Sequence, residues 1–213
     1  MNKLPFTLLL AVVLIFTATA WGQGLQPAPS GPGEIPAGDR PPAKKHHLTY
    51  EDRQAWHRIL KWPEECEAEY RRQKEAGFDD KGTWLQFWEL EPHKYLVKII
   101  CFLAAYQANQ RYYYYDETQS PPVSAPLTLK VYDQVGKKLV AREIAEVGGF
   151  SEFDDGKKEL IVDSKFRGLG DCGSRVVYRI KNGRAVLKEF RAKFDCDGKE
   201  WVPEKAPLIY KEK

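Results

Sequence analysis

The chain has 213 residues, with 33 Lys and Arg against 30 Asp and Glu, 43% hydrophobic residues and 13% aromatic ones. A formal net charge of +3, with basic and acidic residues interleaved along the chain, argues against a protein built around a polyanion and gives no electrostatic footprint for nucleic acid. The apolar content is enough for one core of ordinary domain size, and no internal repeat divides it.

The first predicted element is a targeting segment. Leu8 to Phe16 is an unbroken apolar run behind Lys3, and Ala18-Thr19-Ala20 offers the small residues a signal peptidase accepts, so residues 1–20 read as a cleaved signal peptide. The run falls short of the ~20 residues needed to cross a bilayer, so no stable membrane insertion is expected after cleavage. Residues 21–47 are rich in Pro, Gly and Ala with almost no apolar periodicity; they cannot bury enough surface to offset their ordering entropy and read as a disordered spacer. The folded domain is expected over 48–213, in the periplasm or outside the cell.

Two short helices open that domain. Thr49 followed by Asp52 is a helix start, and Trp56, Ile59 and Leu60 then share one face. Pro63 marks a second start, with Glu64, Glu65 and Glu67 in the first turns, Arg71, Arg72 and Lys74 in the last, and Gly77 to close it. Trp62, Cys66 and Tyr70 lie four residues apart and aim at whatever this helix packs on.

After Gly82 the period becomes two. Lys94 to Leu103 carries Tyr95, Val97, Ile99, Cys101 and Leu103 on one face and the mostly apolar Leu96, Lys98, Ile100 and Phe102 on the other, as a central strand does. Leu127, Leu129 and Val131 alternate with polar neighbours and predict a half-exposed strand. Further strands are expected near Glu159 to Asp163, Arg175 to Ile180 and Ala185 to Phe194, punctuated by Val135-Gly136, Asp155-Gly156, Asn182-Gly183 and Asp197-Gly198. The fold class is therefore mainly β (α+β): seven or eight antiparallel strands in a sandwich or partly open barrel, with the two helices packed on it.

Four cysteines behind a signal peptide form a disulfide framework with three possible connectivities. Spacing alone does not choose among them. Cys196 keeps step with Phe190 and Phe194 on the strand leaving the Asn182-Gly183 hairpin, and Cys172 enters its partner strand, which favours Cys172–Cys196 and, by elimination, Cys66–Cys101. The four are scattered singly rather than at zinc spacing, and the histidines (His46, His47, His57 and His93) do not mark any of them as a catalytic thiol. Asp154-Asp155-Gly156 and Asp195 to Glu200 are much shorter than a calcium loop and read as turns. No cofactor or metal is expected.

Arg167-Gly168-Leu169-Gly170-Asp171-Cys172-Gly173 packs three glycines and a cysteine between two strand runs, and a charge-assisted bond from Arg167 to Asp171 is expected to fix the turn. With Cys101-Phe-Leu-Ala-Ala-Tyr106-Gln107 before it and Cys196-Asp-Gly-Lys-Glu-Trp201-Val-Pro203 after it, this turn resembles the exported bacterial domain-of-unknown-function 1176 family. The likeness runs from about Trp62 to Tyr210. It implies location and architecture and brings no reaction.

Candidate binding residues are Tyr106, Gln107, Arg167 and Asp171 around the turn, and Tyr113 and Tyr115 from the run Tyr112 to Tyr115, in which a strand would place two rings in the core and two at the rim. No catalytic constellation appears. The function expected is a non-enzymatic binding or accessory module whose partner is an envelope component or protein. The alternatives are a hydrolase of envelope polymers using Asp or Glu, and a secreted inhibitor of a hydrolase.

Overall fold

The computed structural model describes residues 49–78 and 83–213; the expected signal peptide and spacer lie outside the described residues. Helix α1 (Tyr50–Leu60) starts where its capping box predicts: the Thr49 side chain accepts from the Asp52 amide at 3.2 Å, and the Asp52 carboxylate accepts from the Thr49 amide at 2.8 Å. Helix α2 (Glu64–Glu75) follows Pro63 and ends at Gly77, which adopts a φ of 84°. The helices are latched together by charge. Arg53 and Glu67, both buried, pair at 2.6 Å; Glu67 also accepts from the Trp62 indole at 2.7 Å and the Gln54 amide at 3.2 Å, and the Arg53 guanidinium lies 4.2 Å from the Tyr70 ring centroid.

The strands are β1 (Leu85–Glu91), β2 (Lys94–Leu103), β3 (Ala108–Asp116), β4 (Val123–Pro126), β5 (Leu129–Val135), β6 (Lys138–Ile144), β7 (Val147–Asp154), β8 (Glu159–Lys165), β9 (Gly173–Lys181), β10 (Arg184–Lys193) and β11 (Leu208–Lys211). Nine form one antiparallel sheet in the order β1-β2-β3-β7-β8-β9-β10-β11, with β4 also on β3, while β5 and β6 make a separate hairpin. The mainly β class with two helices holds, and the sheet is not closed into a barrel. The described residues hold eleven strands rather than seven or eight, in part because four-residue pieces such as β4 and β11 are too short to show a period. Asn182 and Gly183 turn the β9–β10 hairpin with φ of 50° and 70°, as their dipeptide predicts. Asp197-Gly198 differs: it lies in the long connection from β10 to β11, not in a hairpin.

One strand joins the two halves of the sheet. Val147 to Gly149 of β7 pair with β3, and Phe150 to Asp154 pair with β8. Gly149 sits at this change of partner with a φ of 150°, where a Cβ would lie 2.6 Å from the Asp163 carbonyl oxygen, so only glycine fits.

Strands β2 and β3 are covered on both sides. Tyr95, Val97, Ile99, Tyr113 and Tyr115 pack against Trp56, Leu60, Trp62 and Cys66 of the helical layer. On the opposite face Leu96 and Tyr112 share a second core with Leu127, Leu129, Val131, Leu160, Val162, Val176, Tyr178 and Phe190. The simple alternation expected for β2 breaks at a register shift between Ile100 and Phe102. Cys101 there turns inward to Cys66, while Phe102, expected on an apolar face, is 45% exposed.

Candidate functional site

The expected disulfides form: Cys66–Cys101 ties α2 to β2, and Cys172–Cys196 ties the start of β9 to the segment after β10. Cys196 itself lies beyond the end of β10 at Lys193, so its bond fastens a loop rather than a strand.

Around Cys172 the turn is over-determined. Arg167 grips Asp171 with two parallel bonds, Nε to Oδ1 at 2.7 Å and Nη2 to Oδ2, and its Nη2 also donates to the Cys196 carbonyl at 2.8 Å. Asp171 is buried and accepts a third bond, from the Gly198 amide at 2.6 Å. Arg167 and Asp171 thus fix the turn, as expected, and also pin the 196–198 segment beneath it. Gly173 lets Trp201 close over the strand start: a Cβ there would meet the Ser164 carbonyl at 2.4 Å and the indole at 2.8 Å. Asp171 and the sulfurs of Cys172 and Cys196 lie within 4.8 Å of one another, yet the sulfurs are bonded to each other and offer no thiolate to a metal.

Arg167, before all others, holds the Asp171 carboxyl well below the usual carboxylate range, and the Gly198 amide adds to it against the opposing effect of burial. Because the folded-state value lies below the unfolded one of about 4, this stabilisation is complete above about pH 4 and is lost as pH falls through the folded value. Denaturant titrations between about pH 6 and about pH 2 should therefore show wild type losing stability below about pH 4 more steeply than Asp171→Asn. Equal slopes would remove Asp171 from the acid response.

Gln107 works on the same edge. Its carboxamide accepts from the Lys165 amide at 3.0 Å and donates to the Lys165 carbonyl at 3.2 Å, standing in for the strand partner that β8 loses where β7 turns to β3. Tyr106, beside it, is 37% exposed, and its ring lies 3.4 Å from where a Gly168 Cβ would be. Gln107, Arg167 and Asp171 are thus occupied in holding the backbone, while Tyr106 is displayed.

Tyr113 and Tyr115 are elsewhere. They are 4% and 0% exposed under the helices, Tyr112 is equally buried on the other face, and Tyr114 is half-buried. This corrects the expectation of two core and two rim rings. Because β3 is covered on both faces, Tyr113 and Tyr115 are packing residues and do not present a binding platform.

What the turn displays is apolar. Leu169 is 71% exposed, Phe150 56% and Phe166 43%, with Tyr106 close to Gly168. Lys165 links them, its Nζ 5.8 Å from the Phe150 ring and its aliphatic stem about the Gly170 backbone. Phe166 stacks on Phe194 at 5.7 Å. Sequence reasoning named Tyr106 and missed Phe150, Phe166 and Leu169; Leu169 between two glycines of the predicted turn was the available signal, while Phe150 and Phe166 lie outside that turn.

Elsewhere, carboxylates of the two short acidic stretches read as turns have partners. Asp154 accepts from the Lys157 amide at 2.9 Å and pairs with its ammonium at 3.2 Å, and Asp197 pairs with Lys193 at 2.6 Å. His57 bonds the Trp62 carbonyl at 2.8 Å, and His93 faces Glu117 at 3.5 Å. Among the described residues no helix is long and apolar enough to cross a membrane.

Fold and site together define a small antiparallel β protein, backed by two helices and pinned by two disulfides, with a glycine-rich turn joining the interior strands β8 and β9. The chain belongs to the family described as protein of unknown function (DUF1176), whose match spans residues 17–211 and so reaches further toward the N-terminus than the motifs around the cysteines. No curated protein and no solved structure matches it.

Proposed function

We propose that this protein is an exported, non-enzymatic binding module that presents the Arg167–Gly173 turn and its aromatic surroundings to a protein of the cell envelope. The observation carrying this reading is that a rigid scaffold displays an apolar surface. Arg167, Asp171, Gln107 and the Cys172–Cys196 bond are all used to hold the turn, while Leu169, Phe150, Phe166 and Tyr106 stand in solvent. Ordering such a turn lowers the entropy lost on association, and clustered exposed apolar rings on a small protein mark contact surfaces. The two disulfides fit an oxidising compartment, and the apolar run with its Ala18-Thr19-Ala20 site supports export.

The test is retention of envelope proteins by the immobilised, oxidised chain. Wild type should retain a partner that Phe150→Ser/Leu169→Glu, with an unchanged melting temperature, releases. Equal retention by the two forms, or none by wild type, defeats the reading. Turnover of peptidoglycan or glycan by wild type that Glu152→Gln abolishes would favour the hydrolase instead.

A further inference from the structure

Strand β6 forms the outer edge of its hairpin and is solvated on both faces. Every residue from Lys138 to Glu143 is exposed, and the neighbours Leu139 and Val140, which point to opposite faces, are each 47% exposed. Its one strand partner among the described residues, β5, is by contrast buried at Leu129 and Val131 against the core. A strand laid along the edge of β6 would cover both apolar side chains, whereas a partner resting on one face would leave the other wet.

The hairpin leaves the backbone of that edge open to such a strand. The Tyr178 hydroxyl donates to the Lys130 carbonyl at 3.0 Å, so Lys130 turns its backbone polar groups away from β6, and Glu143, directly opposite, turns its own away from β5. By alternation Leu139 and Ala141 do the same, and among the described residues no protein group bonds the outward N–H and C=O groups of these three. The usual protections of an edge are missing. The seven β5–β6 pairs run without a register shift, no proline interrupts β6, and Arg142 is already held by Asp133.

The charges of β6 fit a second copy of itself in one register. When two identical strands pair antiparallel about a two-fold axis through the sheet, one residue faces its own copy, and the choice of that residue fixes every other pair. Centring on Arg142 or Glu143 sets like charges face to face, centring on Val140 sets Lys138 against Arg142, and centring on Leu139 runs the strand into the turn. Centring on Ala141 sets Lys138 against Ile144, Leu139 against Glu143 and Val140 against Arg142, with no like charges opposite one another. It also brings the outward groups of Leu139, Ala141 and Glu143 onto outward groups of the other strand.

We infer that β6 pairs with β6 of a second copy of this chain, antiparallel and centred on Ala141, joining the two hairpins into one sheet in the order β5-β6-β6-β5. The contact uses the same edge on both chains and therefore closes at a dimer. The stems of Arg142 and Glu143 from one chain cover Val140 and Leu139 of the other. This surface does not rest on the reading of the Arg167–Gly173 turn above.

The experiment is sedimentation equilibrium of the full oxidised chain over a concentration series, with mild oxidation of variants carrying one added cysteine. Wild type should form a reversible dimer in the micromolar range. Ala141→Pro removes an outward N–H that the hairpin does not use, so it should melt as the wild-type monomer does and dimerise at least about tenfold more weakly. Val140→Lys leaves the backbone untouched, sets an ammonium against Arg142 of the second copy and should weaken the dimer as well. Ala141→Cys should link two chains readily, because a facing hydrogen-bonded pair lies about 5.5 Å apart at Cα, within disulfide reach; Val140→Cys, whose copies do not face each other, should link at least about tenfold more slowly. A chain that stays monomeric up to about 1 mM overturns the inference, whether or not β6 then takes up a strand of another protein. So does a dimer that neither Ala141→Pro nor Val140→Lys weakens, or equal linking through positions 140 and 141.

Discussion

Replacing Glu67 by alanine should destabilise the domain by about 3–5 kcal/mol, the cost of leaving a buried charge without its partner. Glu67 is 0% exposed, accepts from the Trp62 indole at 2.7 Å and the Gln54 amide at 3.2 Å, and pairs by charge with the Arg53 guanidinium at 2.6 Å. Truncation strands all three. Arg53 is itself 2% exposed between the Tyr70 and Trp62 rings and cannot turn to water without unpacking α1 from α2. The control is Arg53→Met combined with Glu67→Leu, which removes both charges and should recover most of the loss, because it leaves apolar groups where a lone ion would stand. Urea unfolding of the wild type, the single variant and the double variant checks both statements. A loss below about 1 kcal/mol for Glu67→Ala would mean that the pair behaves as a solvated one.

The features that were legible in the sequence are those set by neighbours along the chain. Thr49 and Asp52, Pro63, and Asn182-Gly183 each act within one turn, and each appears where it was expected. Arg167 and Asp171 are four residues apart, close enough for their pairing to be read directly. The residues that were misjudged depend on what lies across a face. Period two shows that the tyrosines of β3 alternate, but not that helices cover one side and the second core the other, so Tyr113 and Tyr115 looked available when they were not. Gln107 became a backbone clamp only because the chain brings Lys165, 58 residues on, to its carboxamide. Phe150, Phe166 and Leu169 likewise become neighbours of one turn only once β7 and β8 pair. Lys98, by contrast, was read on a mostly apolar face of a central strand and is 7% exposed there.

Cys172→Ala/Cys196→Ala should lower stability by about 3.5 kcal/mol, because a loop of this size (a sequence separation of 24) regains its closure entropy when unfolded. Loop length alone would rank Cys66–Cys101, with a separation of 35, slightly higher. Access reverses the order for a reductant. Cys66, Cys101 and Cys172 are all buried, whereas Cys196 is exposed on a segment that β10 has already released. A thiolate can therefore reach Cys172–Cys196 through the exposed Cys196 without unfolding the core, while Cys66 and Cys101, which line a groove beside α2 and β2, are only 2% and 7% exposed. Under native conditions a mild dithiol should open Cys172–Cys196 first, followed by mass mapping of alkylated cysteines, and the opened form should melt close to the double alanine variant. The functional consequence is local. Arg167 and Asp171 keep their own bonds, but the 196–198 segment loses its covalent tether, so partner retention through Leu169 and Phe150 should weaken before the core melts. Simultaneous opening of both bridges, or loss of retention only on global unfolding, would show that the turn has no separate dependence on this bond.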